Sequence, residues 1–99
     1  MQRYLIERDI PNVGRLSSTQ LRDLAAKSNN AVAELAGKVQ WLQSFVAGDK
    51  TFCVYLAESE EAVREHARIA GFPITTITEV PTAVDPMSGI VRGMMIRAA

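Results

Sequence analysis

The sequence predicts a small α+β domain laid out as strand, helix, strand, strand, helix, strand. Three observations carry that prediction. Two stretches repeat apolar residues at helical spacing, each preceded by a capping serine and followed by a glycine. Four short runs rich in β-branched and aromatic residues alternate with them. The middle two runs are separated only by Ala47-Gly48-Asp49-Lys50, the length and composition of a hairpin loop.

The first strand is expected over residues 3–8, where Tyr4, Leu5 and Ile6 follow one another, and turn-forming residues at 9–14 end it. A helix is expected over 18–36, with Ser17 and Gln20 spaced as a capping box. Leu21, Leu24, Ala25, Ser28, Ala31, Val32 and Leu35 form its core-facing stripe, and Gly37 stops it. Strands are expected over 39–46 and 51–57. Ser59 caps a second helix whose first turn holds Glu60 and Glu61, where carboxylates favour the helix dipole. Ala62, Val63, His66, Ala67, Ile69 and Ala70 make its apolar side, and Gly71 and Pro73 terminate it. The last strand is expected over 74–80. The order is the split βαββαβ pattern of the ferredoxin-like fold: a four-stranded antiparallel sheet with two helices on one face. Residues 1–80 form the domain. Residues 81–99 form a tail whose Ile90, Val91, Met94, Met95 and Ile96 are apolar enough to dock on the sheet or on a partner subunit.

A sheet covered on one side should alternate apolar and polar residues, and these strands do not. The third reads Phe52-Cys53-Val54-Tyr55-Leu56, and simple spacing in the second gives Trp41 and Phe45 to one face and Leu42 and Val46 to the other. Two helices cover one face only, so the other would expose a large apolar patch. A second copy packed sheet to sheet removes it, which predicts a homodimer resembling a dimeric α/β barrel. The alternative is the tail folding back over the same face.

Composition narrows the function classes. The 99 residues suit one domain, and 47% of them are hydrophobic, as in a folded protein. Lysine plus arginine equals aspartate plus glutamate at 11 each, with no basic stripe, so neither nucleic acid nor an anionic membrane is an expected partner. Charges at Arg3, Glu7 and Arg8 arrive before any secretory apolar core could form, and no stretch has the length of a membrane helix. With Cys53 the single cysteine, a reducing cytoplasm is the expected location.

Candidate chemistry is sparse. No phosphate loop, paired-cysteine zinc pattern or hydrolase motif occurs, so no catalytic residue is assigned. His66, the sole histidine, is the first candidate for a metal ligand, with Glu65, Glu61 and Cys53 behind it; the plainer reading is a half-buried histidine bonded to backbone or a carboxylate. Cys53 in mid-strand is expected to be packed and inert. Met87, Met94 and Met95 would suit copper(I), though packing is their commoner role. Tyr55 shares a face with Cys53, and Glu7, Gln43 or Glu79 on neighbouring strands could accept from its hydroxyl. Glu7, Tyr55, Gln43 and Trp41 are therefore the candidate lining of a ligand pocket.

Several segments resemble one small bacterial family of unknown function, labelled nickel-responsive-protein-like. They are Tyr4-Leu5-Ile6-Glu7-Arg8-Asp9, Val39-Gln40-Trp41-Leu42-Gln43-Ser44-Phe45-Val46, Lys50-Thr51-Phe52-Cys53-Val54-Tyr55, the run from Ser59 to Ala67, Gly71-Phe72-Pro73 and Glu79-Val80. The resemblance implies a ferredoxin-like dimer and a role with a divalent transition metal such as nickel, and no particular reaction. The family pattern carries His where this chain has Gln43, a departure that weakens any ligand role there. The expected function is a small homodimeric binding protein, with nickel the suggested cargo and ligands drawn from both subunits. A cofactor-free monooxygenase- or isomerase-like enzyme, using His66, Tyr55 and Glu7 as acid–base groups in an apolar pocket, is the alternative. A structural or regulatory interaction module is the second.

Overall fold

The structure is a computed structural model and describes residues 1–91 and 94–95. Strand β1 (Gln2–Asp9) is followed by helix α1 (Ser18–Glu34), strands β2 (Val39–Ala47) and β3 (Lys50–Ala57), helix α2 (Glu60–Ala70) and strand β4 (Thr76–Glu79). The sheet runs β2-β3-β1-β4, with each neighbouring pair antiparallel. This is the predicted βαββαβ order. A short pair, Ile90–Val91 with Met94–Met95, lies outside that sheet. The tail residues 81–88 are exposed, Val84 and Met87 conspicuously so. The expected docking through Ile96 and the Met94 and Met95 side chains lies outside the described residues.

Both helix starts form as their spacing predicts. The Gln20 amide donates to Ser17 Oγ at 3.1 Å while the Ser17 amide donates to Gln20 Oε1 at 2.9 Å, satisfying two otherwise orphaned donors. Ser59 Oγ accepts from the Ala62 amide at 3.2 Å, and Gly71 ends α2 in the left-handed region at φ 77°. Between β1 and α1, a 3-10 turn at Val13–Arg15 is tied to the tip of the β2–β3 hairpin. The Ile10 amide donates to the Asp49 carbonyl, and the Gly14 amide donates to the Gly48 carbonyl at 2.7 Å. Strands β2 and β3 run to Ala47 and Lys50, so the hairpin loop shrinks from the expected four residues to Gly48 and Asp49.

The core lies between sheet and helices. Tyr4, Ile6, Cys53, Tyr55, Ala57 and Val39 meet Leu35, Ala62 and Val63 there. Period-two alternation sends Tyr4, Ile6 and Arg8 of β1 to this buried face, and Leu5 and Glu7 to the open one. In β2 the simple alternation fails. Trp41 pairs with Tyr55 but Gln43 pairs with Val54, so Leu42 is an extra residue in a β-bulge. The bulge shifts the phase by one. Trp41, Ser44 and Val46 share the helix side, and Gln43 and Phe45 share the open side, which corrects the expected pairing of Trp41 with Phe45. The Trp41 indole N–H donates to Ser44 Oγ at 2.9 Å, a contact that holds the new phase.

The stripe of α1 is only partly core. Ser28, Ala31 and Leu35 are buried, but Leu21, Leu24 and Ala25 stay half-buried because the helix stands off from β2 at that end. The space they face is the site described next.

Candidate functional site

A cavity of about 200 Å³ opens between the N-terminal half of α1 and the helix-side residues of β2 and β3. Leu21, Leu24, Ala25 and Ser28 form its helical wall; Trp41, Ser44, Val46, Thr51, Cys53 and Tyr55 form its floor; Arg8, Ile10 and Phe72 complete it. The hairpin-tied turn places Ile10, and the bulge places Trp41, so two local features of the backbone shape the enclosure. The lining is largely apolar. Among the described residues Arg8 is its single charged member.

Three polar side chains from three elements meet beside it. Ser28 Oγ of α1 lies 3.1 Å from His66 Nε2 of α2 and 3.4 Å from the Tyr55 hydroxyl of β3. The Tyr55 and His66 rings stand 4.8 Å apart, and Phe72 continues the row 6.3 Å beyond His66. Ser28 and Tyr55 line the cavity, whereas His66 sits behind them with no exposed surface. Burial, and then the positive charge of Arg8, push the His66 pKa down to about 4, so the ring is neutral at pH 7. Its Nε2 can give or take a proton opposite a hydroxyl, while its Nδ1 is buried without a partner. Burial also pushes the Tyr55 hydroxyl upward, partly countered by the contact with Ser28.

Arg8 is the unexpected member. It is 1% exposed, and one guanidinium nitrogen, Nη1, donates to the Pro73 carbonyl at 2.8 Å. The guanidinium carbon lies 5.3 Å from the centre of the Phe72 ring, a cation–π arrangement. Its Nε and Nη2 have no acceptor among the described residues. A buried cation is costly unless its donors are matched, so this is the site's most strained electrostatic feature.

The sequence-predicted residues separate into groups. Tyr55 and Trp41 line the cavity; Glu7 and Gln43 lie on the opposite face of the sheet. Glu79 stands opposite Tyr4 in the register rather than near Tyr55, and Ser28 takes the place expected of Glu7, Gln43 or Glu79 as the tyrosine's partner. His66 is fully rather than half buried and meets a hydroxyl rather than backbone or a carboxylate. Cys53 is buried with its thiol 3.6 Å from Thr51 Oγ1. Glu65 is paired with Arg68 on the outer side of α2, which lowers its pKa, and Glu61 is exposed. Among the described residues no three His, Cys, Asp or Glu side chains come together as a metal site. Arg8, Ser28 and Phe72 were not singled out. A charge continuing the Tyr4, Ile6 alternation on the buried side of a strand, and a serine inside an apolar helical stripe, were the available signals.

The Ser28–His66 pair has the spacing of a nucleophile and base, but no acid orients Nδ1, and a neutral ring with so low a pKa is a weak base at pH 7. Among the described residues no carboxylate lines the cavity. What the arrangement offers is a shaped, largely apolar space with the hydroxyl-bearing Ser28, Ser44, Thr51 and Tyr55 and the Arg8 guanidinium in its walls.

No curated protein matches the chain. Among solved structures, the crystal structure of SCO4226 from Streptomyces coelicolor A3(2) superposes with a TM-score of 0.70, covering 83% of this chain and 99% of the other at 20% sequence identity. At that identity the likeness concerns the fold. A family model described as "nickel responsive protein SCO4226-like" matches residues 4–80, which hold all of the sheet but the first two residues of β1, and both helices. The chain belongs to the family described as nickel responsive protein SCO4226-like.

Proposed function

We propose that this protein binds a small, mainly apolar organic ligand in the cavity between α1 and the sheet, and that it does so as a homodimer joined through the open sheet face. The observation that carries the first part is the cavity itself. A concave, half-open and largely apolar space with a few convergent polar groups fits the usual description of a small-molecule site. The second part rests on Leu5, Phe45, Phe52, Val54 and Leu56, which share the uncovered face in continuous register.

The family description names nickel. A tight transition-metal site needs several nitrogen, sulfur or oxygen donors converging on one point. His66 Nδ1 is one orphaned donor, but it is fully buried, close to the Arg8 cation, and accompanied by no second or third ligand among the described residues. The residues of one protomer do not fit a nickel ion at His66. A site that draws ligands from two subunits is the form in which the metal reading stands. The enzyme reading needed His66, Tyr55 and Glu7 to converge, and Glu7 projects from the other face.

Trp41 is the single tryptophan and lines the cavity, so its fluorescence reports occupancy. Titration with one-ring probes such as 2-phenylethanol should give a saturable change. The same protein titrated with nickel should show no His66-dependent binding. Saturable nickel binding abolished by His66→Gln, with Trp41 indifferent to organic probes, would reverse the proposal.

A further inference from the structure

We infer that the cavity's ligand is a monocarboxylate, held by the free edge of Arg8, with its apolar body against Leu21, Leu24 and Trp41. This deepens the proposed function and rests on it. The guanidinium is planar, and Nη1 is already committed to the Pro73 carbonyl. The two nitrogens left without acceptors, Nε and Nη2, carry parallel N–H bonds along one edge. That edge matches the two oxygens of a carboxylate, which it can bind in bidentate fashion. Arg8 is among the residues lining the cavity, with Nε and Nη2 themselves sealed beneath its surface, so an anion that displaces the side chains around them would supply the acceptors that the protein does not.

Charge and size restrict the class further. Among the described residues Arg8 is the only charged one lining the cavity, so a monoanion neutralises it whereas a dianion such as phosphate would leave uncompensated charge in apolar surroundings. A volume of about 200 Å³ suits the buried part of a ligand with a single ring or a short branched chain. The hydroxyls of Ser28 and Tyr55, already joined to each other, provide a second polar point on the wall for a ligand bearing a hydroxyl or keto group.

The test titrates the full chain at pH 7.5 with phenylacetate, its uncharged counterpart 2-phenylethanol, and inorganic phosphate, following Trp41 fluorescence. Phenylacetate should bind at least tenfold more tightly than 2-phenylethanol, and phosphate should leave Trp41 unchanged. In Arg8→Met, which keeps the length of the apolar stem, the two aromatic probes should bind within about twofold of each other. Should that variant not fold, the Nε–H resonance of Arg8 in the natural protein gives an independent readout. It should move on adding phenylacetate and stay still with the alcohol. Equal affinity for acid and alcohol would overturn the carboxylate inference while leaving the cavity as a ligand site. Phosphate binding as tight as phenylacetate would overturn it too. No response of Trp41 to either aromatic probe would overturn both this inference and the proposed function.

Discussion

The His66 Nε2 atom lies 3.1 Å from Ser28 Oγ, a buried contact that joins α2 to α1. It makes the histidine a structural partner of a cavity-lining hydroxyl, and it links folding to pH. Burial holds the folded-state pKa near 4, while an exposed histidine in the unfolded chain titrates near 6.5. The unfolded chain therefore takes up a proton first as the pH falls. Stability is fully present above about pH 6.5, declines as the pH drops toward 4, and is lower by about 3 kcal/mol below that. Denaturant unfolding between pH 7.5 and 4.5 should show most of this loss, and His66→Gln should show little of it. Parallel pH profiles for the two proteins would refute the assignment. The carboxylates of Asp9 and Glu65, whose pKa values are lowered by Lys50 and Arg68, lose their contributions only at more acid pH.

Ser28 makes two contacts in this cluster and Tyr55 makes one, at the longer distance of 3.4 Å. Ser28→Ala leaves both nitrogens of a buried imidazole without partners and should cost about 1–3 kcal/mol. Tyr55→Phe leaves Ser28 bonded to His66 and should cost about 1 kcal/mol or less. Equilibrium unfolding of the two variants at pH 7.5 checks the ranking; the reverse order would mean that Tyr55, not Ser28, anchors the cluster.

The proposed dimer rests on the open face. Phe45 is 52% exposed and pairs across the strands with Phe52. A charge at its position would be desolvated in a sheet-to-sheet interface, so Phe45→Arg should convert a dimer to a monomer in light scattering at micromolar concentration. Trp41 faces the other way, and Trp41→Phe should leave the assembly unchanged. A natural protein that is monomeric at those concentrations would rule out the interface.

Gly14 is required where the 3-10 turn meets the hairpin. A Cβ there would lie 2.7 Å from the Gly48 carbonyl oxygen and 3.0 Å from its amide nitrogen, both rigid backbone atoms. Gly14→Ala should destabilise by about 1–3 kcal/mol through overpacking. It should also weaken binding of an aromatic probe, because the same turn sets Ile10 at the edge of the cavity. Normal stability in thermal unfolding would show that the two segments can separate at no cost.

Much of this was legible in the one-dimensional pattern. The spacing of Ser17 and Gln20, the apolar period of α2 and the breaks at Gly71 and Pro73 are local features, and local geometry realises them directly. The face assignments in β1 follow from its unbroken alternation; those in β2 do not, because one inserted residue at Leu42 inverts every later side chain. No composition or spacing rule marks that insertion. It arises from pairing with β3, and it is what turns Trp41 inward.

By itself, the sequence determined the order of the elements, their caps and stops, and the presence of apolar residues on both sides of the sheet. These depend on backbone preference and hydrophobic period, which act over a few residues. Only the tertiary structure decided that Arg8 is buried with one edge unmatched, that Ser28 and not a carboxylate meets Tyr55 and His66, and that α1 stands off from β2 to leave a cavity. Each of these joins residues from separate elements. Their free energies depend on desolvation and on which groups become neighbours, quantities that exist only once the helices have docked on the sheet.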